Sequence, residues 1–110
     1  MKKTIVLGSV TMTYNEQGAM ISANVQPVTN VPIDATLQEQ LVAIKSDTAD
    51  NVKNQAQLVL GAFFSNITNA ELADRADYSM VSEIVDCAKF DNEKVKQCTI
   101  KFTLQPVQAN

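Results

Sequence analysis

Histidine and tryptophan are absent from this 110-residue chain, and arginine occurs once, as Arg75. Without histidine, the usual near-neutral acid–base group and the commonest metal ligand are missing. A single arginine supplies bidentate phosphate or carboxylate recognition poorly. There are only three glycines, three prolines and two cysteines. No G-x-G-x-x-G or G-x-x-x-x-G-K run occurs, so no phosphate-cradling loop is expected. No apolar run approaches the length of a membrane-spanning helix. The opening Met1-Lys2-Lys3-Thr4-Ile5-Val6-Leu7 stops short of a secretory apolar region at Gly8-Ser9 and reads as a strand.

What is there is mostly uncharged and polar. Asn, Gln, Ser and Thr total 33 residues, against 12 acidic and 9 basic side chains, for a net charge of −3. That balance argues against coating a nucleic acid, where affinity rests on phosphate neutralisation. Apolar residues make up 45% of the chain, enough for one folded domain over residues 1–110. A short, Asn- and Gln-rich, Gly-poor chain without catalytic parts has the character of a small viral or phage-borne protein. The expected location is cytoplasmic, meaning the host cytoplasm or a virion.

Residues 4–14 alternate, with Val6, Val10, Met12 and Tyr14 on one parity and Thr11 and Thr13 on the other. Asn15-Glu16-Gln17-Gly18 reads as a turn, and residues 19–26 alternate again with Ala19, Ile21, Ala23 and Val25 in phase. This predicts a β-hairpin. Pro27 and Pro32 bracket a linker. Asp34 or Thr36 then caps a helix whose apolar stripe runs Leu37, Leu41, Ile44, Val52, Ala56, Val59 and Phe63. Poor helix formers at residues 46–51 leave open one long helix or two helices with a break at 46–50, and the continuous phase favours one helix, or a kink rather than a turn. Thr68 to Glu71 reads as a capping box opening a further helix, with Leu72, Ala76, Met80, Ile84 and Cys87 as its stripe. Residues 94–105 form a last strand with Cys98, Ile100, Phe102 and Leu104 inward. The expected fold is α+β in the order β-β-α-α-β. A small antiparallel sheet, the N-terminal hairpin plus the C-terminal strand, packs on a long helix and a second helix.

The candidate sites are weighed on chemistry. Glu71, Asp74 and Asp77, with Glu83 and Asp86, would lie along one helix face. Without the turn and carbonyl ligands of a calcium loop they read as a solvated face, so no metal and no cofactor is expected. Cys87 and Cys98 have no CxxC or zinc spacing and no histidine partner. They read as reduced core thiols, with a disulfide as the alternative in an oxidising compartment. No catalytic residue is nominated and the protein is expected not to be an enzyme.

The outward face of the sheet is the candidate contact surface, with Thr11, Thr13, Asn24, Gln97, Thr99 and Lys101 on it. Phe64 is added because Phe63 continues the helical stripe and leaves its neighbour for a flank or a subunit interface. Free sheet edges call for a partner. The expected function is a non-enzymatic homo-oligomer, a homodimer or higher, serving as a structural subunit or adaptor. The alternative is a module that binds a small polar ligand or inhibits a partner protein.

Overall fold

The computed structural model describes residues 3–29, 31–67 and 78–107. The elements are β1 (Ile5–Tyr14), β2 (Met20–Pro27), α1 (Ala35–Val42), α2 (Ala49–Ile67), β3 (Tyr78–Lys89) and β4 (Val95–Pro106). The strands form one antiparallel sheet in the order β2-β1-β4-β3. The expected α+β class holds, and the order β-β-α-α-β is followed by one further strand.

The segment whose phase favours one helix, or a kinked one, is corrected to two helices, α1 and α2, separated at residues 43–48. Asp34 caps α1, its Oδ1 accepting from the Leu37 amide at 2.7 Å. Thr48 caps α2, accepting from the Asn51 amide at 3.1 Å. The connector between them is stitched to the sheet. The Ser46 amide donates to the Gly18 carbonyl at 3.0 Å, and its hydroxyl donates to the Val95 carbonyl at 3.0 Å. Those bonds satisfy a buried polar residue and hold the break in place.

The helix expected to reach Cys87 is corrected by β3, which occupies residues 78–89. The opening capping box, Leu72, Ala76 and three of the acids (Glu71, Asp74, Asp77) lie outside the described residues. The misreading has a physical cause. Met80, Ile84 and Cys87 are spaced four and three apart, as on a helix. They share the inner face of the strand because the register shifts between Ile84 and Asp86.

A second bulge corrects the start of β1. The register against β4 shifts between Val6 and Gly8, so Val6 is exposed and Leu7 is buried. A third, between Thr13 and Tyr14 against β2, leaves Ile21 exposed rather than inward.

The core lies between the sheet and the helices. Leu7, Val10, Met12 and Tyr14 from β1 meet Val95, Cys98, Ile100, Phe102 and Leu104 from β4. α2 lays Val52, Ala56, Leu60 and Phe64 on them, four residues apart. Here too the structure differs from expectation. Phe64 is fully buried, its ring stacked on Phe102 at 4.6 Å between centroids, and Phe63 is the half-buried flank. The expected stripe holds through Val52 and Ala56 and departs within α2, where Leu60 and Phe64 fill the core and Val59 and Phe63 flank it half-buried.

Candidate functional site

The helices cover one face of the sheet. On the other face, strand register assembles three polar rows. Ser22, Thr13, Gln97 and Ala88 form one; Asn24, Thr11, Thr99 and Asp86 the next; Gln26, Ser9, Lys101 and Glu83 the third. Thr11, Thr13, Asn24, Gln97, Thr99 and Lys101 are thus brought together across three strands, as the alternation predicts. Phe64 is not among them, because it is enclosed in the core of its own chain.

Two hydrogen bonds join side chains of β1 and β4 across this face. The Thr11 and Thr99 hydroxyls lie 3.0 Å apart, and Gln97 Nε2 donates to Thr13 Oγ1 at 3.2 Å. Where the three rows end, the face turns apolar. Val6 (43% exposed), Val28 (60%) and Val85 (52%) border a shallow depression with Ser9, Gln26, Thr99 and Lys101, about 330 Å³ in volume. Val6 and Val85 were missed in the sequence because both sit at bulges, where parity changes. Glu83 and Asp86, expected on a helix, lie here on β3, with Glu83 paired in register with Lys101.

At one end of the sheet the two hairpin turns are tied together. Asn92 Nδ2 donates to the Glu16 carbonyl at 3.0 Å, and Lys94 Nζ donates to the Gln17 carbonyl at 3.3 Å. A recess of about 310 Å³ lies beside them, lined by Glu16, Lys89, Phe90, Asp91, Asn92 and Lys96. Its carboxylates and ammoniums alternate in sign, and Lys96 Nζ stands 5.8 Å above the Phe90 ring. Mixed charge of this kind selects no single class of ion.

The inner face carries the titratable groups with displaced affinities. Burial, then the neighbouring Cys87, pushes the Cys98 thiol up to about 12. Burial, then Cys98, raises the Tyr14 phenol above its ordinary value. The Tyr14 hydroxyl donates to Met12 Sδ at 3.7 Å. Both groups hold their protons more tightly folded than unfolded, so their contribution to stability is complete below the ordinary thiol range, about pH 8.5. It is lost as pH rises toward the folded values. The urea midpoint is therefore expected to hold from pH 7 to 8 and to fall steadily above pH 9. Cys98→Ala should flatten the early part of that fall. A midpoint unchanged at pH 10.5 would contradict the assignment.

Among the described residues no helix is long and apolar enough to cross a membrane. Compared with protein-family models, with curated proteins and with solved structures, the chain matches none of the three.

Proposed function

We propose that the protein is a non-enzymatic module that works by surface contact, pairing with a second copy of itself through the outer face of its sheet as a structural subunit or adaptor. The observation that carries this reading is the state of that face: largely uncharged, with Thr11 bonded to Thr99 and Gln97 to Thr13 at its centre. An antiparallel sheet commonly shows one polar face to water. Polar groups that already bond each other, as Thr11 does with Thr99 and Gln97 with Thr13, lose little when water is removed. Val6, Val28 and Val85 add apolar area beside them.

The charges on the face support a twofold arrangement. Lys101 and Glu83 are neighbours in one row. A symmetric pairing requires that residue i meet j while j meets i. A twofold axis parallel to the strands, lying between the two facing sheets and midway between these residues, sets Lys101 of each chain against Glu83 of the other. The place of work in this reading is a host cytoplasm or a virion assembled there.

Sedimentation equilibrium across a wide range of concentrations tests the reading. A concentration-dependent dimer or larger closed assembly is expected. Val85→Glu should shift it to monomer. Leu58→Glu, on the 85%-exposed side chain of the opposite helical surface, should leave it unchanged. A strict monomer at the highest concentration, or dissociation by Leu58→Glu alone, would overturn it.

A further inference from the structure

The β3–β4 ladder sets Cys87 directly opposite Cys98. Eleven positions apart in sequence, the two are made neighbours by the turn that joins these strands. Opposed residues of an antiparallel pair have Cα atoms about 4.5–5.5 Å apart and side chains on one face. A disulfide accepts roughly 4.4–6.8 Å. The pairs Asp86–Thr99, Cys87–Cys98 and Ala88–Gln97 are consecutive, with a register shift on either side. Bulged strand bends locally, so these flanks can take up a small change in strand separation. Both thiols are free, but they differ in access: Cys98 is fully buried and Cys87 is half-buried.

We propose that Cys87 and Cys98 are a redox modification site, a dithiol that closes reversibly to an intrachain disulfide, with Cys87 as the thiol that meets the oxidant. The oxidant class is a low-molecular-weight disulfide such as glutathione disulfide. Cys87 releases its proton to solvent and its thiolate attacks one sulfur of that disulfide. The reagent's S–S bond breaks, one glutathione thiolate leaves and takes up a proton, and Cys87 carries the other half as a mixed disulfide. Cys98 then loses its proton and its sulfur attacks Cys87 Sγ. The bond to glutathione breaks and a second glutathione departs. The cysteine pair has lost two electrons and two protons, and one glutathione disulfide has become two glutathiones.

The order follows from burial, since a bulky reagent cannot reach Cys98. The product ties β3, an edge strand with one neighbour in the sheet, covalently to central β4.

Glutathione redox buffers of stepped ratio, quenched by alkylation and read by intact and peptide mass, test the proposal on the full chain. The parent protein should lose both alkylatable thiols together, with a mass lower by two hydrogens and a link between the peptides holding Cys87 and Cys98. Cys98→Ala should accumulate glutathione on Cys87, whereas Cys87→Ala should stay unmodified under the same exposure. The oxidised protein should unfold at higher urea than the reduced one. Thiols that stay free at every ratio, a link between two chains, equal glutathione uptake by the two variants, or an oxidised form that unfolds at lower urea would each overturn the proposal.

Discussion

Gly8→Ala is expected to destabilise the protein by about 2–6 kcal/mol, combining overpacking with a strained backbone angle. A Cβ at Gly8 would stand 2.6 Å from the Phe64 ring and from the Gln26 carbonyl oxygen, and 2.8 Å from Pro27 Cα. Its φ is +151°, a value side-chain-bearing residues rarely adopt. Two of the three contacts are backbone of β2, so a rotamer change cannot relieve them. A domain of this size has a total stability of roughly 5–15 kcal/mol, so the variant should show a large drop in urea midpoint. Phe64→Leu in the same chain makes room on one side only. The double variant should therefore cost less than the sum of its parts, without regaining the parent midpoint. A Gly8→Ala protein with an unchanged midpoint would show that α2 does not press on β1 as described.

Phe64→Ala is expected to cost about 3–5 kcal/mol, the range for truncating a buried aromatic. The ring lies against Phe102, meets Phe63 edge-on at 5.2 Å, and closes over Gly8. Phe63→Ala should cost roughly 1 kcal/mol, about half of what burying a whole phenylalanine contributes. Chemical denaturation of the two variants side by side decides which ring belongs to the core. Equal losses, or a larger loss at Phe63, would reverse the assignment.

That comparison marks the boundary of what the residues reveal by pattern. The hairpin and the last strand were legible because Thr11 and Thr13, and Gln97 and Thr99, alternate with large apolar side chains over most of a strand's length. The polar outer face follows from the same period of two, and six of the seven nominated contact residues lie on it. Each misplaced strand residue sits at a bulge. Val6 precedes one, Ile21 is the unpaired residue of another, and Val85 is the unpaired residue of a third. One extra residue turns a period of two into spacings of three and four, which is how β3 presents the pattern of a helix. The bulge beside Gly8 had a visible signal, a glycine inside an otherwise β-branched run. The one at Val85 had none. The exchange of Phe63 for Phe64 has a different origin: after Ala56 a step of three reaches Val59 and Phe63 and a step of four reaches Leu60 and Phe64, both apolar pairs at helical spacing, and the sheet takes the second.

The middle of the sheet joins the first strand to the last. Thr11 and Thr99, bonded across that ladder, are 88 positions apart in the chain. During synthesis the hairpin and helices emerge with only part of their sheet to close on, since the inner face of β1 is completed only when β4 has left the ribosome. Loop closure over so long a separation is slow relative to helix or hairpin formation. Leu7, Val10 and Met12 of a nascent copy are therefore fully covered only when β4 has paired with β1.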